Sequence, residues 1–216
     1  MQDDKRLAAQ PSRRALMLAI GGAMLLPRLA RAAISVADQP DVNRVQNYMN
    51  GIHTLASRFD QVAEDGSTAS GKIYLQRPGH MRIEYDSPNP ILLVAAQGEV
   101  FYYDGKLDQV SWVPLDDTPA WFLLQENIRM GGDITVENVR HDPGVLRLSL
   151  YETKRAQNGQ VTLVLQENPL ELRQWTVVDA QKKHITVTLS NPQFGVQINP
   201  QLFIWTDPHS SGSRGG

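Results

Sequence analysis

The feature that most constrains this chain is a period-two alternation over residues 71–88, interrupted once by Arg77-Pro78-Gly79-His80. Successive side chains of an extended strand point to opposite faces, so Met81, Ile83 and Tyr85 share one side while Arg82, Glu84 and Asp86 share the other. Ile73 and Leu75 form the matching apolar side of the preceding run. Two such runs around a Pro-Gly break spell a β-hairpin with a slightly open turn. The same parity carries Arg77 onto the apolar side, where a desolvated guanidinium must find acceptors for its donors. Arg77 is therefore expected to touch whatever covers the inner face of the sheet. A surface ion pair is the plainer alternative.

Similar runs recur at 58–64, 91–95, 100–104, 107–113, 134–140, 145–151, 161–166, 170–179 and 184–190, with a last one at 203–206. Asp65-Gly66, Asp104-Gly105, Asp142-Pro143-Gly144 and Asn158-Gly159 supply turn chemistry between them. About eleven antiparallel strands suggest a mainly β fold, either one large curved sheet or an open barrel. One long helix precedes them. From Asp41, a candidate cap, Val42, Val45, Tyr48, Met49, Ile52, Leu55 and Phe59 follow in steps of three and four. A second, short and very apolar helix starts at Pro119 after a break at 114–118. Two helices only partly fill the concave side of so long a sheet, which leaves room for a ligand. The cavity is expected to be lined by Met49 and Ile52 of the first helix and by Trp121 and Leu124 of the second. Ile73, Leu75, Ile83, Tyr85 and Leu93 would line it from the strands. The aromatic cluster Phe101, Tyr102, Tyr103, Trp112, Trp121 and Phe122, and the run Ile91-Leu92-Leu93-Val94, apolar on both faces, fit either a lined cavity or an ordinary core.

The first 32 residues are of another kind. Lys5, Arg6, Arg13 and Arg14 precede the apolar run 15–26, and Ala30-Arg31-Ala32 offers a small-residue cleavage site. This reads as a secretory signal peptide with an apolar part too short to span a membrane. Ser12-Arg13-Arg14-Ala15-Leu16 also fits a twin-arginine signal, so export by the Sec route or the twin-arginine route is left open. The chain then divides into a signal peptide at 1–32, one domain at 33–208 with a flexible lead-in at 33–40, and a disordered tail at 209–216. Removing 1–32 shifts the net charge from −2 to −6, which disfavours nucleic acid and anionic membrane surfaces as partners. Zero cysteines exclude a disulfide framework and a lipid-modified N-terminal cysteine. A monomer, soluble outside the cytoplasm, is expected.

No catalytic constellation emerges. The sequence has no G-x-S-x-G, no Walker loop, no G-x-G-x-x-G and no H-x-x-x-H, and its five histidines, at 53, 80, 141, 184 and 209, stand singly. Asp116-Asp117 and Glu64-Asp65 lie in apparent turns, whose chemistry accounts for them. Neither an enzyme nor a metal or cofactor is expected.

The segment Gly71-Lys72-Ile73-Tyr74-Leu75-Gln76-Arg77-Pro78, followed by Met81-Arg82-Ile83-Glu84-Tyr85 and Pro88, resembles the core of the periplasmic outer-membrane lipoprotein carrier family. Phe59-Asp60-Gln61, Gly98-Glu99-Val100-Phe101-Tyr102-Tyr103-Asp104, Leu107-Asp108-Gln109-Val110, Thr118-Pro119 and Phe203-Ile204-Trp205-Thr206-Asp207-Pro208 are similar to further family segments in the same order. The resemblance runs from about Val42 to Pro208. It departs at Met81 and Ile83, where many relatives carry aromatic residues.

What the resemblance implies is specific. The fold would be an unclosed barrel of eleven strands with helices as a lid over an apolar cavity. The protein would take acylated lipoproteins from an inner-membrane ABC transporter and carry them across the periplasm to the outer membrane, to a receptor if one is present. Arg77 would bind backbone of the lid helices and hold the empty form closed, and Pro78, Gly79, His80 and Met81 would meet the transporter. The rival is a carrier or sensor of another amphiphile, a glycolipid or isoprenoid, on the same fold.

Overall fold

A computed structural model describes residues 34–209 of the chain. The proposed signal peptide and all of the proposed tail beyond His209 lie outside the described residues. Among the described residues the alternating runs become eleven strands. These are β1 (Thr54–Ala63), β2 (Thr68–Gln76), β3 (His80–Tyr85), β4 (Ile91–Ala96), β5 (Glu99–Asp104), β6 (Gln109–Pro114), β7 (Ile134–Asp142), β8 (Val145–Glu152), β9 (Gly159–Gln166), β10 (Glu171–Asp179) and β11 (His184–Phe194).

All belong to one antiparallel sheet in the order β6-β5-β4-β3-β2-β1-β11-β10-β9-β8-β7. Two meanders thus meet where β1 pairs with β11. The two edges, β6 and β7, do not pair, so the barrel stays open, and residues 115–133 connect them in the sequence. Register shifts between Ala56 and Arg58, Leu172 and Gln174, and Val136 and Asn138 mark β-bulges, which bend and twist a sheet of this width.

Helix α1 (Gln39–Gly51) is shorter than its apolar stripe. It stops at Ile52, whose backbone is extended, and Leu55 and Phe59 sit on β1. A spacing of four keeps two residues on one face of a helix and also on one face of a strand, so periodicity could not separate the two. The helix starts two residues before Asp41, after a 3-10 turn at Val36–Asp38 capped by the Ser35 hydroxyl, and Ile34 packs against the core. The expected flexible lead-in is therefore already structured from Ile34. Val42, Val45 and Met49 are buried, each contributing about 1.5–3 kcal/mol.

Partners of α1 show which half of the sheet it covers. Arg44 pairs with Glu167 at 2.7 Å, His141 with Asp41 at 3.3 Å, and the Leu172 N–H donates to the Tyr48 hydroxyl at 2.8 Å. The helix therefore lies over one end of β7–β10, in one apolar core with Ile134, Leu146, Leu148, Leu163 and Leu165. The short helix α2 (Trp121–Leu124) follows a 3-10 turn at Leu115–Asp117, which Arg155 holds through Asp116 and Asp117. Asp116 and Asp117 thus lie in a turn, as expected.

The expected strand at 203–206 does not form. A 3-10 turn at Pro200–Phe203, capped by the Asn199 side chain, leads into a strap across the outer face of β3–β5. Arg82 Nη1 donates to the Leu202 carbonyl at 3.2 Å, His80 and Phe203 lie 5.5 Å apart, and Trp205 stacks on Phe101 at 5.1 Å. Register places Val94 between Arg82 and Phe101 on that outer face, and it is 0% exposed. The strap explains why β4 is apolar on both sides.

Candidate functional site

The part of the inner face that α1 leaves uncovered is hollow. A cavity of about 360 Å³ is lined from the sheet by Phe59, Ile73, Met81, Ile83, Tyr85, Leu93, Val100 and Tyr102 and, beyond the β1–β11 seam, by Val161, Trp175, Val177, Ile185 and Val187. Thr118, Pro119, Ala120 and Leu123 close it from the α2 segment, and Ser111, Trp112 and Val113 border it at the edge of the sheet. The lining has few polar groups. Two of them satisfy each other, the Tyr85 hydroxyl donating to Gln61 Oε1 at 2.7 Å, while burial pushes the Tyr85 hydroxyl pKa up. A second, much smaller void of about 10 Å³ lies under α1 between Met49, Ile52, Leu55, Leu75, Arg77 and Leu172. Ile73, Leu123 and Trp175 line both spaces and so stand between them.

The expected cavity residues divide accordingly. Ile73, Ile83, Tyr85 and Leu93 line the large cavity. Met49, Ile52 and Leu75 line only the small void. Trp121 instead borders a separate crevice of about 30 Å³ against Ile134, Leu150 and Tyr151. Leu124 is 2% exposed, buried in the core and lining none of these spaces. In a one-turn helix only one side meets the hollow, and Leu123 occupies it.

Arg77 stands at the end of β2 and is 9% exposed. Its Nε donates to the Leu123 carbonyl at 2.7 Å and its Nη1 to the Met49 carbonyl at 2.6 Å. Met49 and Leu123 are among the last residues of α1 and α2, whose carbonyls carry the negative end of the helix dipole, and the Met49 carbonyl also accepts from the Ile52 N–H at 3.2 Å. Neither helix has a basic residue of its own in its last turn. One guanidinium from the sheet thus caps both helices. Burial lowers its pKa to about 10, so it stays charged at neutral pH. No carboxylate forms an ion pair with it among the described residues, which sets aside the surface ion pair as its role.

The turn after Arg77 takes part as well. The Gly79 N–H donates to the Leu124 carbonyl at 2.9 Å, and His80 Nδ1 lies 2.7 Å from the Pro78 carbonyl. Pro78 is exposed and Gly79 and His80 are half-buried. Met81, grouped with them as a transporter contact on the family resemblance, is 4% exposed and turned onto the cavity. As the first inward position of β3 it cannot offer a surface in this conformation.

Two residues that sequence reasoning missed tie the cover together. Asn50 exchanges two hydrogen bonds with the backbone of Ile128, and Gln46 Oε1 accepts from the Met130 N–H at 2.7 Å. Their signal was only that polar residues sit beside the apolar stripe of α1, which every surface helix shows. Among the described residues no cluster of His, Asp and Glu is arranged to hold a metal ion, and no helix is long and apolar enough to cross a membrane.

Fold and site together define a class: an open antiparallel barrel whose apolar hollow is covered by helices capped from the sheet by a single arginine. The chain belongs to the outer membrane lipoprotein carrier protein LolA family, whose model matches residues 50–206. It is 26% identical over 194 residues to the outer-membrane lipoprotein carrier protein of Methylococcus capsulatus, covering 86% of this chain and 92% of that one. It is also 26% identical over 121 residues to an uncharacterized protein of Rickettsia prowazekii, covering 56% of this chain and 57% of that one. Among solved structures, the LolA superfamily protein of Nitrosomonas europaea aligns with a TM-score of 0.43 at 7% identity, over 76% of this chain and 97% of that one.

Proposed function

We propose that this chain carries acylated lipoproteins across the periplasm, holding their acyl chains in the 360 Å³ cavity. It would receive them from an inner-membrane ABC transporter and give them up at the outer membrane. The observation that carries the reading is the pairing of an apolar hollow with a cover held by Arg77.

Moving one chain of about sixteen carbons from a bilayer into water costs on the order of 12 kcal/mol, at about 0.8 kcal/mol per methylene. A carrier must replace the bilayer with a comparable apolar surface and still let go. A cover that closes over the empty cavity meets both needs, since opening it subtracts from net affinity and closing it hides apolar surface from water. Two charge-assisted bonds at about 1.5–3 kcal/mol each suit such a latch. Because the turn at Pro78–His80 also holds α2 through the Gly79 N–H, a transporter pressing on that turn would act on the cover directly.

Purification of the protein from its native periplasm, with mass spectrometry of what accompanies it, tests the cargo. Acylated lipoproteins are the expected result; free glycolipid or isoprenoid would replace this reading with the rival amphiphile. Arg77→Leu tests the latch: it should take up lipoprotein and release it poorly to outer-membrane vesicles. Normal hand-off by that variant would contradict the role given to Arg77.

A further inference from the structure

The cavity touches three consecutive residues of β6, namely Ser111, Trp112 and Val113. Consecutive side chains of a strand point to opposite faces, so a space on one face meets at most alternate ones. Contact with all three brings the cavity to the backbone of β6, an edge strand left unpaired among the described residues.

Register identifies which groups are there. The Leu115 N–H donates to the Gly98 carbonyl at 2.8 Å, so this pair and, alternating along the ladder, Val113 with Val100, Ser111 with Tyr102 and Gln109 with Asp104 face each other in hydrogen bonds. Val110 and Trp112 therefore turn both N–H and C=O toward the free edge, and Pro114, with no N–H, ends the row. Natural sheet edges are commonly guarded by charge. The β7 edge carries Glu137, Arg140 and Asp142, whereas β6 has no charged residue and leaves Trp112 59% exposed.

The geometry points to the β6 edge as a second binding site, one for extended polypeptide. Its occupant is the stretch of a cargo lipoprotein that follows the acylated residue, added as a short strand beside Val110 and Trp112. This inference rests on the proposed function, because an acyl chain in the cavity delivers the attached peptide to this edge. Backbone pairing suits a carrier of many sequences, since it reads N–H and C=O rather than side chains.

The test uses the purified protein and two synthetic diacylated lipopeptides with the same six-residue linker, one N-methylated at alternate linker residues to remove its donors. Wild type is expected to bind the methylated peptide about tenfold more weakly, as two or more lost hydrogen bonds would give. Trp112→Pro, which deletes an edge-facing N–H and is tolerated on an edge strand, should weaken the unmethylated peptide and narrow the difference. Trp112→Ala keeps the N–H and should keep the preference.

Equal binding of the two peptides by wild type would overturn the inference, as would an equal loss for both in Trp112→Pro. So would a dimer that Trp112→Pro converts to monomer without changing the preference, which would make the edge an interface between copies. Failure of wild type to bind either lipopeptide would instead refute the carrier reading itself.

Discussion

Asn50 of α1 and the backbone of Ile128 close a two-way hydrogen bond, Nδ2 donating to the carbonyl at 3.0 Å and Oδ1 accepting from the N–H at 2.8 Å. With Gln46 and Met130 one turn earlier, this joins α1 to the loop after α2 along its length. Arg77 caps both helices at the same end. Bonded to each other and to one arginine, the two parts of the cover form one connected piece.

Asn50→Ala should cost about 1–3 kcal/mol, because it leaves the N–H of Ile128, a residue 1% exposed, without its partner. Denaturant unfolding reads the loss. Amide exchange should quicken at 128–130 while β8 and β9 keep their protection, and uniform quickening would deny that Asn50 acts on the cover.

Arg77→Lys keeps the charge but offers one nitrogen where two carbonyls are served by a planar fork. Exchange at 121–124 is expected to rise about tenfold, the equivalent of one lost bond of roughly 1.4 kcal/mol. Hydrogen-exchange mass spectrometry on the purified protein measures it.

Gly71 has no room for a side chain. A Cβ there would lie 2.1 Å from the Glu84 carbonyl oxygen and 2.8 Å from the Phe59 ring. Since the first obstacle is the backbone of β3, Gly71→Ala should force β2 and β3 apart and destabilise the protein by about 3 kcal/mol or more. A thermal melt unchanged from wild type would refute this close approach.

His209 ends the strap between two carboxylates, 2.9 Å from Asp108 and 3.4 Å from Asp207, beside the Tyr103 ring. The hydrogen bond to Asp108 raises its pKa. A base whose pKa rises on folding adds stability in full below its ordinary value near 6.5, and loses it as pH climbs through the raised value. The His209 ring should therefore titrate at higher pH in wild type than in Asp108→Asn, as followed by its proton resonances.

Hairpin 71–88 was legible from the sequence almost residue by residue, because period-two alternation and a Pro-Gly break are local facts. The Phe203–Thr206 run misled for the opposite reason: its apolar residues cover the outer face of β4 and β5 without pairing as a strand. Leu124 was placed in the cavity because a four-residue helix gives no periodicity from which to choose its inner side.

The sequence by itself determined most of the strands, the inward face of hairpin 71–88 and the position of Arg77 on it, since each follows from neighbours a few residues away. Only the tertiary structure decided that α1 fills part of the trough and leaves the rest hollow, and that the carbonyls that meet Arg77 belong to Met49 and Leu123. Those are contacts across 28 and 46 residues, made by folding an eleven-stranded sheet around its cover, and no local pattern encodes them.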